Sequence, residues 1–169
     1  NKDTVKAGLI KAGTTAGVVM IMLLSVMMLS RLYVMENLPQ MILNVMTSIS
    51  SNPAVLTLML NLFLIIIGML MDDTSAILLT TPILLPVAMS IGIHPVHFAA
   101  IVGVNIGLGG VTPPTAPFLY LGSRVGNAPI IEMLGPTMYF IFFAWIPTLI
   151  LTTYIPGLSL WLPRLLGYV

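Results

Sequence analysis

Long apolar runs, separated by short polar or proline-containing segments, make up most of the chain. The first run extends over residues 9–29, and at about 20 residues it is long enough to cross a bilayer as a helix. Two further runs, 55–71 and 76–91, are joined by the polar link 72–75, and a last run covers 130–154. The pattern predicts an all-α polytopic membrane protein.

A shorter segment, residues 40–51, follows Pro39 and has apolar positions at helical spacing. It is too short to span a membrane. One interpretation is an amphipathic arm helix along the interface or between two bodies. The other is a polar turn of helix outside the membrane.

The two runs joined by residues 72–75 form either two spanning helices or a re-entrant hairpin. Pro82 and Pro86 lie in the second run. Each proline frees a carbonyl that must find a partner inside protein, which favours a distorted, buried second arm. Asp72 and Asp73 have two interpretations. They are either solvated at the far interface, or they are functional, as carboxylates in apolar surroundings usually are.

The segment 96–125 is long enough to cross once, but glycines and prolines interrupt it between Gly107 and Pro117. We expect a discontinuous helix, with two half-helices and unwound backbone from Gly107 to Pro114. The alternative is an exposed loop between two short spans. It is disfavoured because residues 107–114 contain no charged side chain.

Composition supports a membrane location and excludes several functions. The chain has 169 residues, of which 58% are hydrophobic and 7% charged, and its mean hydropathy is +1.08. It contains no cysteine, so disulfides and thiolate sites are excluded, and its net charge of +1 provides no basic field for nucleic acid. The polar start, without Met, suggests one half of a longer polypeptide.

An interrupted helix at membrane depth offers ligands to ions. Free carbonyls at Gly107, Gly109, Gly110 and Val111, with the Thr112 hydroxyl, would be hard oxygen ligands suited to a small alkali cation. Free N–H groups near Thr115 and Ala116 would attract a carboxylate. Asn105, before the break, either points into the same cavity or joins two helices.

Other polar residues provide no enzyme signature. His94 and His97 are expected in a loop beside Pro95, where metal ligation is disfavoured because no third ligand is near. Ser75, the histidines and the aspartates lack a nucleophile elbow or a zinc-protease motif. The sequence therefore predicts a protein that is not an enzyme and holds no cofactor.

Four blocks of the sequence resemble the large membrane subunit (M subunit) of tripartite ATP-independent periplasmic (TRAP) transporters. They are GMLMDDTSAILLTTPILLP at 68–86, GIHPVHF at 92–98, NIGLGGVTPP at 105–114 and YIPGLSLWLP at 154–163. The resemblance covers nearly the whole chain and matches the second of two inverted repeats. Gly109, Gly110 and residues 115–117 depart from the commonest family residues, which leaves the substrate open.

This resemblance implies an elevator-type transporter of the bacterial inner membrane. Residues 1–51 would be a scaffold helix and an arm, 52–125 a hairpin and a broken helix of the transport domain, and 126–169 the final helix and tail. It further implies sodium-coupled uptake of an organic acid such as a C4-dicarboxylate or sialic acid. The partners would be a periplasmic binding protein, a small membrane (Q) subunit and the N-terminal half of the M subunit.

By the same resemblance the hairpin tip faces the helix break. The implied sodium ligands come from the tip and the break: Asp72, Asp73, Thr74, Ser75, Gly107, Gly110 and Thr112. The implied substrate contacts are Asn105, Thr112, Pro113 and Thr115. Two alternatives stay open: half of a carboxylate/ion exchanger that needs no binding protein, and a membrane scaffold subunit that does not transport.

Overall fold

The computed structural model describes residues 2–113 and 116–168, and all regular structure in these residues is helical. This confirms the predicted all-α class. The helices are α1 (Lys2–Met35), α2 (Leu38–Ile49), α3 (Pro53–Leu70), α4 (Asp73–Ser90), α5 (Pro95–Val111), α6 (Pro117–Gly126), α7 (Ile130–Phe140), α8 (Ile146–Tyr154) and α9 (Pro156–Leu165), with a π-helical segment at Ile141–Trp145 between α7 and α8.

Four helical segments are long and apolar enough to cross a membrane: Val5–Met35, Pro53–Leu70, Asp73–Ser90 and Ile130–Tyr154. The first is almost bare, with only 6% of its most apolar window buried, and it packs mainly along α4. Most of its apolar surface therefore faces lipid or another polypeptide.

Helices α3, α4 and α5 form the centre of the molecule. Their starts follow from local sequence, because Asn52, Asp72 and His94 each accept a backbone N–H with the side chain at the N-cap position. The apolar faces of the three helices bury a shared core, which includes Leu64, Leu84 and Phe98.

The predicted short helix over residues 40–51 is confirmed as α2, which has 12 residues. Met46 is buried, whereas Met41, Val45 and Ile49 are exposed. Since α2 contacts α4, α1 and α3, it is a packed element of the fold rather than an isolated polar turn.

The last apolar run is continuous helix from Ile130 to Tyr154, but its hydrogen bonds change from the α-helical to the π-helical pattern near the middle. The Ile146 N–H bonds to the Ile141 carbonyl, five residues earlier. The next residue, Pro147, has no N–H for the Phe143 carbonyl. The extra residue per turn turns Trp145 toward α5, where its indole N–H donates to the Val104 carbonyl at 3.0 Å.

Two expectations about the middle of the chain were wrong. The backbone is not unwound from Gly107, because α5 continues to Val111, and the described residues Thr112, Pro113 and Ala116 lie between α5 and α6. Close helix packing around these glycines supports the extra turn. His97 does not lie in a loop but in the first turn of α5, because His94 and Pro95 start that helix earlier than expected.

Candidate functional site

The C-terminal ends of α3 and α5 meet at two glycines. A Cβ on Gly109 would lie 2.6 Å from the Gly68 Cα, and one on Gly68 would lie 2.9 Å from the Ile106 carbonyl oxygen. Only glycine permits backbones to approach so closely. The predicted hairpin tip, residues 71–76, begins three residues after Gly68, and the helix break begins at Thr112, three residues after Gly109.

Within the hairpin tip, Asp72 caps helix α4. Its Oδ2 accepts the Ser75 N–H at 3.1 Å. Hydrogen bonds from the Ser75 side chain and then from its backbone lower the pKa of Asp72, and these outweigh the opposite effect of its slight burial. Asp72 is therefore ionised at neutral pH and offers only acceptor oxygens.

The other predicted tip residues follow in the first turn of α4. Asp73 and Ser75 are half-buried and Thr74 is exposed. Asp72, Thr74 and Ser75 line a cavity of about 220 Å³ whose opposite wall is apolar and belongs to α1. The tip thus presents polar side chains to a space beside the first membrane helix.

At the helix break, Thr112 ends α5 with two bonds to its own last turn. Its N–H donates to the Gly109 carbonyl at 3.1 Å and its hydroxyl to the Leu108 carbonyl at 2.6 Å. The hydroxyl oxygen keeps acceptor capacity for a ligand. Ala116 has a φ of 35°, a conformation that non-glycine residues adopt at a cost and that often occurs at functional sites.

Pro113 follows in a turn and is half-buried. Thr115, a predicted substrate contact, lies outside the described residues. Among the described residues, no hydrogen bond joins residues 72–75 to Thr112 or Pro113. The tip and the break are neighbours through their helices rather than through direct polar contacts.

Gly107 and Gly110 were predicted to offer carbonyls from unwound backbone, and the structure contradicts that premise. Gly107 lies a turn inside α5, where the Trp145 ring would approach a Cβ to 3.0 Å. Gly110 lies in the last turn, against the Phe118 ring. The residue four positions after Gly110 is Pro114, which has no N–H for the Gly110 carbonyl. Gly110 therefore stays a candidate ligand on better grounds than Gly107.

Asn105 faces α3, not the break. It is fully buried, and its Nδ2 donates to the Asn61 Oδ1 at 2.6 Å and to the Ile101 carbonyl at 2.7 Å. Asn61 in turn donates to the Thr153 hydroxyl at 3.1 Å. The Asn105 Oδ1 has no partner among the described residues. This network joins α3, α5 and α8, as expected of an amide that pairs membrane helices.

Sequence reasoning missed a second tie between α5 and the last span. His97 is buried, and its Nε2–H donates to the Thr152 carbonyl at 2.7 Å. That carbonyl lacks its usual helical donor because Pro156 stands four residues later. The sequence contained a signal for this bond, because Pro156 removes the helical donor of the Thr152 carbonyl and no compensating donor lies nearby in the sequence.

The described residues thus form four apolar spans, two of which are joined by the polar tip, and a broken helix. A comparison with protein families shows where the chain belongs. The family model described as "Tripartite ATP-independent periplasmic transporter, DctM component" matches residues 1–158. The chain belongs to this family. It is accordingly a protein of the bacterial inner membrane, and the family is a transporter permease rather than an enzyme.

Several curated DctM-family proteins are similar to this chain. The sialic acid TRAP transporter large permease protein SiaM of Vibrio cholerae serotype O1 is 37% identical over 155 residues, which are 91% of this chain and 36% of SiaM. The C4-dicarboxylate TRAP transporter large permease protein DctM of the same organism is 30% identical over 166 residues, 98% of this chain and 36% of that protein.

A third relative is the isethionate TRAP transporter permease protein DctMQ of Oleidesulfovibrio alaskensis. It is 35% identical over 149 residues, 88% of this chain and 23% of DctMQ. The chain thus spans little more than a third, or less, of these curated relatives. No solved structure matches it significantly.

Proposed function

We propose that this chain forms the ion- and substrate-binding half of a secondary transporter that takes up an organic acid together with sodium. The observation that carries the proposal is the approach of Gly68 to Gly109, which sets the hairpin tip beside the helix break. The relatives named for C4-dicarboxylate and sialic acid support an organic acid as the substrate.

A sodium ion is proposed to bind between the tip and the break. The C-terminal ends of α3 and α5 both point to this region, and each carries partial negative charge on its last carbonyls. Asp72 adds a full charge. The proposed ligands are the predicted oxygens of Asp72, Asp73, Thr74, Ser75, Gly110 and Thr112, with Gly107 as the weakest candidate.

The substrate carboxylate is proposed to bind at the N-terminal end of α6. This helix begins at Pro117 without a side-chain cap, so its first turn has partial positive charge available for an anion. Thr112, Pro113 and Thr115 precede it as the proposed contacts. Asn105 is the least favoured contact, because its side chain is engaged with α3.

The mechanism proposed is an elevator in which α1 and α2 are scaffold and α3–α6 move with the last span. Polar ties that join the last span to both α3 and α5 support its movement with these helices. Helix α1 contacts the moving body chiefly along α4, where the Ser30 hydroxyl would have to release the Leu78 carbonyl. The proposed partners are a periplasmic binding protein, a small membrane subunit and the remaining half of the permease.

The test is uptake in proteoliposomes that contain the complete permease with its small subunit, supplied with a binding protein and labelled sialic acid or C4-dicarboxylate. We expect accumulation driven by an inward sodium gradient and lost when sodium is equal on both sides. Accumulation indifferent to the sodium gradient would contradict the proposal. Uptake without the binding protein would favour the exchanger, and unchanged uptake by Thr112→Ala and Asp73→Ala would favour the scaffold subunit.

The elevator is tested by cysteine pairs, because the chain has no cysteine of its own. Ser30 and Leu78 are in contact across α1 and α4, since the Ser30 hydroxyl donates to the Leu78 carbonyl at 3.1 Å. We expect a disulfide in Ser30→Cys/Leu78→Cys to abolish uptake and its reduction to restore it. As a control, Asn61→Cys/Thr153→Cys joins helices proposed to move together and should leave uptake independent of reduction. Equal effects of both disulfides would contradict the elevator.

A further inference from the structure

A groove of about 540 Å³ opens between α1 and α4, and it shares Leu78 with the cavity at the hairpin tip. Most of its lining residues are apolar. Met27, Ile77 and Pro82 form apolar walls, and Arg31 and Thr81 contribute polar groups. A hydrogen bond joins the two helices beside the groove. The Ser30 hydroxyl donates to the Leu78 carbonyl, which has no helical donor because residue 82 is a proline.

No described residue forms an ion pair or a hydrogen bond with the guanidinium of Arg31. It lies two residues after the first apolar run, residues 9–29, which is long enough to cross a bilayer, so we place Arg31 near the level of the lipid headgroups. A long side chain at such a position extends its charge to the interface and its stem along the apolar wall.

Thr81 provides a second free polar group in the same groove. Hydroxyls on membrane helices usually bond to the carbonyl four residues earlier, as Thr80 does with Ala76 at 2.7 Å. Thr81 makes no hydrogen bond to any described residue. The groove thus combines an unpaired guanidinium, an unpaired hydroxyl and an apolar trough.

We propose that this groove binds one anionic phospholipid, with the phosphate on Arg31 and Thr81 and an acyl chain along Met27 and Ile77. The charge complementarity and the apolar wall select this occupant, since basic pockets between membrane helices bind lipid phosphates. An apolar helix from another subunit would bury Arg31 without a counter-charge, which is costly.

The experiment is native mass spectrometry of the complete permease with its small subunit, titrated with phosphatidylglycerol or phosphatidylcholine. We expect one tightly held phosphatidylglycerol. Arg31→Gln should weaken its binding about tenfold, as for the loss of one charge-assisted contact. Thr81→Val should weaken it about threefold, whereas the exposed Arg164→Gln, on α9, should leave it unchanged.

Ile77→Trp provides a test that does not alter charge, because the indole would fill the groove and should remove the bound lipid. Folding of each variant is checked by its thermal midpoint before lipid is added. Equal binding of the two lipids, or unchanged binding in both Arg31→Gln and Ile77→Trp, would overturn the proposal. A second experiment labels lipid-free Met27→Cys with a membrane-soluble thiol reagent. If the small subunit protects this cysteine from the reagent, the groove is covered by protein and the proposal is also overturned. These readouts require no transport, so they are independent of the proposed function.

Discussion

Gly68 and Gly109 lie so close that a methyl group on Gly109 would stand 2.6 Å from the Gly68 Cα and 2.7 Å from the Met69 nitrogen. Both atoms belong to the backbone and have no freedom to rotate away. The contact fixes the position of α3 relative to α5, and with it the relation between the hairpin tip and the helix break.

Gly109→Ala should therefore separate α3 from α5. We expect a destabilisation of about 1–3 kcal/mol, the usual cost of overpacking, and loss of most uptake. The measurement is the thermal midpoint of the permease, with uptake in parallel. Gly103→Ala is the matched control on the same helix, because a Cβ there would meet no atom within 4 Å apart from its chain neighbours and its own helix backbone. Equal midpoints for the two variants would contradict the packing argument.

Two substitutions separate the helix-capping role of Asp72 from the role of its negative charge. Asp72→Asn keeps a side-chain acceptor for the Ser75 N–H, so we expect nearly unchanged stability and weaker sodium dependence of uptake. Asp72→Ala should lose about 1 kcal/mol of stability in addition. Thermal midpoints and the half-saturating sodium concentration measure the two effects. If Asp72→Asn keeps the original sodium dependence, the aspartate is only a cap.

The bond between His97 and Thr152 replaces one that Pro156 removes. His97→Leu should destabilise the permease by about 1–2 kcal/mol, because it leaves the half-buried Thr152 carbonyl without a donor. Pro156→Ala restores a backbone N–H four residues after Thr152. In that background we expect His97→Leu to cost less than half as much, measured as a double-mutant cycle of thermal stability. Strict additivity would show that the two features are unrelated.

Asn105 is expected to act on stability rather than on the substrate. Asn105→Leu removes the bond to Asn61 and should cost about 1 kcal/mol, a typical value for interhelical hydrogen bonds in membranes. The KM values for sodium and for the organic acid should stay within twofold of the original, provided that measurements are made below the thermal midpoint. A large rise in the KM for the organic acid at unchanged stability would instead indicate that Asn105 contacts the substrate.

Apolar run length predicted the fold well. The long spans, the short helix α2 and the interruption before α6 all follow from hydropathy and from proline and glycine positions. The break was placed too early, because glycines were taken as breakers. Gly107, Gly109 and Gly110 instead make room for Trp145, Gly68 and Phe118 while the helix continues. A sequence does not reveal which neighbour fills the space beside a glycine.

The tertiary polar ties were harder to predict for a related reason. Pro82 and Pro156 indicate that the carbonyls of Leu78 and Thr152 lack helical donors. The side chains that donate to them are Ser30 and His97, which lie 48 and 55 residues away in the sequence. Periodicity within one helix does not contain that information. The tip residues were found through motif resemblance, and their roles as ligands stay predictions.

The most direct test of the central claim is equilibrium binding of radioactive sodium to the complete permease in detergent. Thr112→Val and Thr148→Val each remove a hydroxyl that bonds to the carbonyl four residues earlier, but only Thr112 lies at the proposed site. We predict that Thr112→Val weakens sodium binding about tenfold, equivalent to about 1.4 kcal/mol, and that Thr148→Val leaves it unchanged. Equal sodium affinities of the two variants and the original protein would contradict a sodium site between the hairpin tip and the helix break.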